Sequence, residues 1–239
     1  MADLSWLTAR PIAHRGLHDG NRAVYENSLA AALLAIDEGF AIECDVQLSA
    51  DGTPHIFHDD TLDRLTSGTG RIRVQDDAAI AALRLGETAE GIPTVAAFLD
   101  AVAGRVPILM ELKGESAAAD GHYIPAIKDL VDAYDGPLAL MSFDAWLVEG
   151  LIAAGVERPV GLTAEGTSAA ELERHRALYD RGCTFTSYSV HHLPNAFTSH
   201  VREELSAPVL TWTVRTLEER DWSRLHADQM TFEGFRPQA

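Results

Sequence analysis

The chain has 239 residues, of which 46% are hydrophobic and 23% charged, a composition typical of a folded globular protein rather than a disordered one. Its 36 acidic and 19 basic residues give a formal net charge of −17, which argues against a nucleic-acid-binding protein or a polybasic membrane-surface protein. The lysines are Lys113 and Lys128 alone, so the place of each is informative. An anionic substrate would require positive charge concentrated locally, by arginine, lysine or a bound cation.

The cysteine pattern indicates a reducing compartment. Cys44 and Cys183 are too few for a disulfide framework and form no CxxC motif, so we expect a cytoplasmic protein. The first residues lack the basic start, apolar core and cleavage site of a secretory signal. No apolar stretch approaches the ~20 residues that span a bilayer.

Short apolar runs alternate with segments of helical periodicity along the whole chain. The first helical segment places Leu29, Leu33 and Ile36 on one face and ends at Gly39. The apolar runs predict strands at about 11–15, 41–48, 106–113, 138–143, 159–164, 183–190, 208–214 and 228–233.

Two later helices begin with the spacing of a capping box, Ser168 to Glu171 and Thr216 to Glu219, each shortly after a strand. Strand, capped helix and strand in succession are typical of βα repeats. Eight such units in a chain of this length predict a (β/α)₈ TIM barrel, usually ~250 residues, rather than an open doubly wound sheet. No GxGxxG or GxxxxGK[ST] motif follows a strand, which disfavours nucleotide binding.

The repeat is interrupted after the second strand. Asp51-Gly52 separates two extended runs there and predicts a hairpin, which reverses the chain direction. The next parallel strand is predicted only from residue 106 onward. We therefore expect one barrel domain over residues 1–239, with a small insertion at about 49–105 on the side of the βα loops.

Charged residues at the ends of the predicted strands indicate the functional site, because barrel enzymes place their chemistry at the carboxyl ends of the strands. Strand alternation puts Glu43 and Asp45 on one face and Ile42, Cys44 and Val46 on the other. The apolar set should meet the surrounding helices, so the carboxylates point into the barrel. Two adjacent inward carboxylates repel unless a cation or a proton separates them, which favours a hard divalent metal.

The third strand and the first add further candidates. Glu111 and Lys113 share one face at the end of the third strand, so Glu111 is a plausible third oxygen ligand and Lys113 a fixed positive charge for a phosphate oxygen. The first strand ends in His14-Arg15-Gly16, and Gly16 would allow a close approach of a ligand or another backbone.

The predicted hairpin carries two histidines, His55 and His58. In a straight hairpin they lie on opposite faces, so at most one faces the site, and the spacing does not decide which. The HxH, HExxH and cysteine spacings of common zinc sites are absent, which ranks zinc below a hard cation.

These motifs together resemble the glycerophosphodiester phosphodiesterase family. The resemblance is dense from residue 11 to about 114 and thinner afterwards, with later matches at Ser142-Phe143 and Trp212-Thr213-Val214. The last strand departs from the family, because Thr231-Phe232-Glu233-Gly234-Phe235 stands where Thr-Asp-x-Pro is expected. The motifs that carry the resemblance are, in chain order, His14-Arg15-Gly16, Glu26-Asn27-Ser28, Glu43-x-Asp45, the block from Gln47 to Gly70 with His58-Asp59, Ile92-Pro93-Thr94, and Glu111-x-Lys113.

The resemblance implies a TIM barrel with a small inserted subdomain that hydrolyses glycerophosphodiesters to an alcohol and glycerol 3-phosphate. It implies one divalent cation, Mg²⁺ or Ca²⁺, as the cofactor and a small-molecule substrate as the partner. It also implies site roles: metal ligands Glu43, Asp45 and Glu111; general acid and base His14 and His58; phosphate contacts Arg15 and Lys113; and Phe143 and Trp212 around the glycerol or alcohol.

Other functions remain open at this point. A lysophospholipase D-like or phospholipase C-like enzyme would act on a lipid, although no strongly apolar loop is evident. A non-catalytic phosphate-binding barrel would be expected to have lost histidines or ligands, and none is missing. A Schiff-base enzyme would use Lys113 as the nucleophile, but the neighbouring carboxylates should keep that lysine protonated. The residues do not indicate the oligomeric state, the preferred alcohol or which histidine is the acid.

Overall fold

The structure is a computed structural model that describes residues 3–237. Eight parallel strands form a closed barrel, because the first strand pairs with both the second and the last. The strands are β1 (Ile12–Ala13), β2 (Ala41–Leu48), β3 (Pro54–Ile56), β4 (Ile108–Leu112), β5 (Leu138–Ser142), β6 (Val160–Ala164), β7 (Phe185–Ser189), β8 (Val209–Val214) and β9 (Gln229–Phe232). β3 lies outside the barrel wall and pairs antiparallel with β2. The predicted TIM barrel is confirmed.

The eight predicted strands correspond to β1, β2 and β4–β9, and β1, predicted over 11–15, is observed over only two residues. The chain leaves the sheet at His14, since Arg15 and Gly16 adopt left-handed backbone conformations with φ of 56° and 77°. The loop that carries the predicted site residues His14 and Arg15 thus begins directly after Ala13, the last residue of β1.

Helices connect the strands on the outside of the barrel. Both predicted capping boxes form, at Ser168–Glu171 and Thr216–Glu219. The helices are α1 (Ser5–Thr8), α2 (Leu29–Asp37), α3 (Asp77–Ala82), α4 (Val95–Val102), α5 (Tyr123–Asp132), α6 (Ala145–Ala153), α7 (Ala169–Tyr179), α8 (Ala196–Ser199) and α9 (Leu217–His226). Within residues 3–237, none is long and apolar enough to cross a membrane.

The buried face of α2 differs from the predicted stripe. Leu33, predicted to share a face with Leu29 and Ile36, is 40% exposed, although those two residues pack against the main core. The buried positions of the helix are Ala31, Ala32 and Ala35. The small alanines allow the helix to approach the loop after β1 closely: a Cβ atom added to Gly16 would lie 2.8 Å from the Cβ of Ala31. Close packing, rather than the largest apolar side chains, decides which face is buried here.

The segment after β2 combines a hairpin with a small apolar cluster. Seven buried side chains of this segment form a core that is distinct from the core of the barrel. They are Phe57, Leu62, Leu65, Ile72, Ile80, Leu85 and Ile92. The predicted insertion range, 49–105, also contains α4, whose buried side chains belong to the main core between the barrel and its helices. This segment carries His58 and Arg64 to the mouth of the barrel.

Candidate active site

A cavity of about 190 Å³ opens at the carboxyl ends of the barrel strands. The residues predicted from the sequence all line it, namely His14, Arg15, Glu43, Asp45, His58, Glu111, Lys113, Phe143 and Trp212. Met141, Thr213, Arg215 and Thr231 complete its wall.

Three buried carboxylates meet at the base of the cavity. Alternation along β2 turns Glu43 and Asp45 inward, while Cys44 is fully buried on the opposite face against the helices. Asp45 pairs in register with Glu111 on the neighbouring parallel strand β4. One oxygen from each of the three carboxylates lies within 4.8 Å of the others. This donor set of hard oxygens fits a divalent cation such as Mg²⁺ or Ca²⁺.

Two cations contact this carboxylate cluster. The ammonium of Lys113 lies 3.1 Å from Asp45 Oδ1 and forms a closer ion pair with Glu111. The guanidinium of Arg15 lies 3.4 Å from Asp45 Oδ2, and the Arg15 backbone N–H donates to Glu43 Oε2 at 2.9 Å. Within residues 3–237, these three carboxylates thus contact one lysine and one arginine side chain, so the cluster has one more negative than positive charge.

The pKa values of the three carboxylates reflect their burial and this imbalance of charge. Burial raises the pKa of Glu43 well above its ordinary value, and the neighbouring charges of Asp45 and Glu111 raise it further. Burial also raises the pKa of Glu111, although Lys113 opposes this. For Asp45 burial is outweighed by the charges of Lys113 and the other nearby cations, so its pKa is lowered. A divalent cation at the cluster would stabilise the ionised form of Glu43 and leave the site with a net positive charge.

Lys113 carries a stable positive charge. Burial opposes its protonation, but Asp45 and Glu111 outweigh burial and raise the pKa of Lys113 above its ordinary value. A Schiff-base nucleophile has to be a neutral amine, so the structure disfavours that chemistry at Lys113.

The loop that carries Arg15 is held by Glu26 and Asn27. Asn27 donates from its backbone to the Arg15 carbonyl at 2.8 Å, and its side chain exchanges hydrogen bonds with Asp45. Glu26 is 3% exposed and accepts from Arg15, Asn21 and Arg64 at 2.6–2.8 Å. The sequence motif containing Glu26 and Asn27 contributes to the resemblance, but no role for these residues is predicted from it.

The two histidines at the cavity are each held at Nδ1 by a carboxylate. His14 Nδ1 lies 2.6 Å from Glu233 Oε2, and its Nε2 lies 4.0 Å from Glu43 Oε2. His58 Nδ1 lies 2.8 Å from Asp59 Oδ1. Burial lowers the pKa of His14, although the hydrogen bond to Glu233 opposes this. In both rings the second nitrogen, Nε2, is therefore the one free to exchange protons with a ligand.

His55 occupies a different environment. It is 3% exposed, its Nε2 lies 3.3 Å from Asp77 Oδ1, and it does not line the cavity. β3 ends at Ile56, so His58 lies beyond the hairpin and its direction does not follow from strand alternation. This is why the residue pattern alone could not choose between the two histidines.

Phe143 and Trp212 form an aromatic wall at the rim. Their ring centroids are 5.4 Å apart and nearly perpendicular, and Phe143 is 43% exposed. Lys113 Nζ lies 6.0 Å from the centre of the Phe143 ring. An apolar wall beside a cationic group suits the carbon skeleton of a small anionic molecule.

Sequence reasoning missed Glu233. This residue follows the last barrel strand, β9, and therefore lies at the same end of the barrel as Glu43 and Glu111. The position of Glu233 at a strand end would have marked it in the same way as the other carboxylates, but in the sequence Glu233 stands out only as part of a departure from the family pattern.

Comparison with known proteins places the chain among phosphodiesterases. The sequence pattern of the glycerophosphoryl diester phosphodiesterase family matches residues 14–230. Glycerophosphodiester phosphodiesterase 1 of Bos taurus is 26% identical over 252 residues, which covers 90% of this chain and 74% of the bovine protein. Its counterpart in Homo sapiens is 36% identical over 118 residues, 45% of this chain and 35% of the human protein.

A solved structure supports the same assignment. A phosphodiesterase of Oleispira antarctica, in complex with its product sn-glycerol-3-phosphate, is 26% identical and superimposes with a TM-score of 0.80, covering 94% of this chain and 92% of that one. Since the family pattern spans most of the sequence and the fold agrees, the chain belongs to the glycerophosphoryl diester phosphodiesterase family and is a phosphoric diester hydrolase.

Proposed function

We propose that the protein hydrolyses small glycerophosphodiesters to an alcohol and glycerol 3-phosphate, in a reaction that requires a divalent cation. The observation that carries this proposal is the convergence of three buried carboxylates, two histidines and two cationic side chains on one cavity. The Oleispira antarctica relative bound to sn-glycerol-3-phosphate supports the substrate class.

Glu43, Asp45 and Glu111 are the proposed ligands of the cation. Mg²⁺ or Ca²⁺ suits three carboxylate oxygens, and the bound cation would polarise the phosphoryl oxygens and stabilise the added charge of the transition state. The raised pKa of Glu43 supports this assignment, because in the part of the chain that the structure describes burial and the two neighbouring carboxylates outweigh the charge of Arg15 at Glu43.

Arg15 and Lys113 would bind the phosphate. A phosphodiester is a monoanion, and both side chains remain charged beside the carboxylates in the working pH range. Phe143 and Trp212 would pack against the glycerol or alcohol portion, which fits their position at the rim.

His14 and His58 would move the protons of the reaction. One ring takes the proton from the attacking hydroxyl through Nε2, and the oxygen of that hydroxyl forms the new bond to phosphorus. The other ring donates its Nε2 proton to the alkoxide as the bond from phosphorus to the leaving oxygen breaks. With both Nδ1 atoms held by carboxylates, each Nε2 is available for these roles.

The test is an assay of purified protein on glycerophosphocholine, glycerophosphoethanolamine, glycerophosphoinositol and lysophosphatidylcholine. Each reaction is followed by phosphorus NMR with Mg²⁺, with Ca²⁺ and with EDTA. We expect metal-dependent release of glycerol 3-phosphate from at least one glycerophosphodiester. A cyclic glycerol phosphate would show attack by the substrate's own hydroxyl rather than by water. Cleavage of lysophosphatidylcholine alone, or no turnover with any ion, would contradict the proposal.

A further inference from the structure

Glu233 lies next to His14 because of how the barrel closes. β1 and β9 pair in parallel register, Ala13 opposite Phe232, and the His14 backbone N–H donates to the Phe232 carbonyl at 2.9 Å. His14 and Glu233 are therefore the residues that directly follow the neighbouring strands β1 and β9. Both leave the sheet at the end of the barrel that contains the cavity.

The carboxylate of Glu233 is fixed from two sides. Oε2 lies 2.6 Å from His14 Nδ1, and Oε1 accepts a hydrogen bond from Arg215 Nε at 2.6 Å. His18 Nε2 lies 3.7 Å from Oε2. Burial opposes ionisation of Glu233, but the hydrogen bond from His14, the nearby ring of His18 and the charge of Arg215 outweigh burial and hold the pKa of Glu233 well below its usual range. Glu233 is thus an acceptor, which requires a proton on His14 Nδ1.

The second histidine shows the same arrangement with different residues. His58 Nδ1 contacts Asp59 Oδ1 at 2.8 Å, and Arg64 Nε donates to Asp59 Oδ2 at 2.6 Å. Each histidine ring thus contacts a carboxylate, and that carboxylate in turn accepts a hydrogen bond from an arginine. Asp59 is adjacent to His58 in the sequence, whereas the partner of His14 comes from the opposite end of the chain.

We infer that Glu233 is a positioning residue for His14. It fixes the ring in the tautomer with the proton on Nδ1, so that Nε2 faces the cavity beside Glu43, and Arg215 holds the carboxylate in place. A carboxylate on the remote nitrogen of a catalytic histidine sets both its tautomer and its ring orientation. The expected effect of Glu233 on kcat rests on the proposed function, whereas the expected tautomer of His14 rests on the structure alone.

The first test measures the tautomer directly, without turnover. Protein labelled with ¹⁵N at its histidines gives a two-bond ¹H–¹⁵N correlation pattern for each of the 10 rings, and the His14→Gln variant identifies the His14 signals. We expect the Nδ1–H tautomer in the wild type and in Glu233→Gln, whose amide oxygen still accepts the hydrogen bond. Glu233→Ala should lose this preference. An Nε2–H tautomer in the wild type, or no change in Glu233→Ala, would overturn the inference.

The second test separates a positioning effect from a structural one by kinetics. Glu233→Ala should lower kcat on the best glycerophosphodiester by roughly 10- to 100-fold while KM changes by less than about 3-fold, and Glu233→Gln should recover most of the loss. Glu38→Ala is the matched control, since Glu38 also pairs with an arginine, Arg236, at 2.8 Å, and among residues 3–237 its carboxylate forms no bond to a histidine. Wild-type kcat in Glu233→Ala would refute the positioning role.

The two tests also distinguish failure of the inference from failure of the proposed function. If the wild type hydrolyses no glycerophosphodiester, the proposed function fails, and the tautomer of His14 still decides the role of Glu233. If Glu233→Ala does not fold, as judged by thermal melting, the tautomer in the wild type and in Glu233→Gln provides the decision.

Discussion

Replacing Glu26 by glutamine tests how the Arg15 loop is held. The Glu26 side chain is 4% exposed and pairs with both Arg15 and Arg64. Although burial opposes ionisation, these arginines and Asn21 lower the pKa of Glu26 from 4.5 to about 2. A difference of that size corresponds to about 3 kcal/mol of stabilisation by the ionised carboxylate, so Glu26→Gln should lower the free energy of unfolding by about that amount at pH 7.

The effect has a definite pH dependence. The folded-state pKa of Glu26 is below its ordinary value, so the stabilisation is complete above pH 4.5 and is lost as the pH falls towards 2. The difference in unfolding free energy between wild type and Glu26→Gln should therefore shrink to about 2 kcal/mol at pH 3.5. KM should also rise in the variant, because Arg15 loses the carboxylate that orients it towards the cavity.

Urea unfolding at the two pH values, with steady-state kinetics at pH 7, measures both consequences. Glu115→Gln is the matched control, since its exposed carboxylate accepts from Arg71 at 2.9 Å and an exposed pair contributes little. An unchanged unfolding free energy in Glu26→Gln, or a loss that is the same at pH 7 and pH 3.5, would refute the reasoning.

Two further predictions concern the histidines and the loop after β1. His14→Ala and His58→Ala should each lower kcat on glycerophosphocholine by about 10²–10⁴-fold. Metal binding measured by calorimetry should stay close to wild type, and near-wild-type turnover in either variant would remove that histidine from the mechanism. Gly16→Ala should cost roughly 1–3 kcal/mol of stability in thermal or urea unfolding, because φ is +77° and the new Cβ would lie 2.8 Å from the Cβ of Ala31. Gly20→Ala is its control, with φ of +80° and no atom within 4 Å of the new Cβ, and an equal loss in both variants would show that the contact with Ala31 does not matter.

Much of the barrel and the base of the site could be predicted from local patterns. Strand periodicity is a property of neighbouring residues, so the eight barrel strands were identifiable from the chain alone. Alternation within β2 is enough to turn Glu43 and Asp45 inward, and the register with β4 brings Glu111 beside them. These residues come together because the barrel imposes the same direction on all its strands.

The remaining features depend on contacts that no local pattern encodes. The pairing of Glu233 with His14 joins residues 219 positions apart and exists because β9 closes onto β1. The position of His58 depends on the path of the chain after β3 ends, where strand alternation no longer applies. The burial of Ala31 depends on how closely α2 packs against the loop at Gly16, which hydrophobicity alone cannot indicate.

The most direct test of the account is a calorimetric titration of metal-free protein with Mg²⁺ and with Ca²⁺, combined with turnover of a glycerophosphodiester. The wild type and Glu43→Gln are compared, since glutamine keeps the shape of the side chain but removes the charge that the cation would stabilise. We predict one binding site in the wild type, at least 10-fold weaker binding in the variant and a parallel loss of turnover. Equal binding and equal turnover in the two proteins would contradict the assignment of the carboxylate cluster.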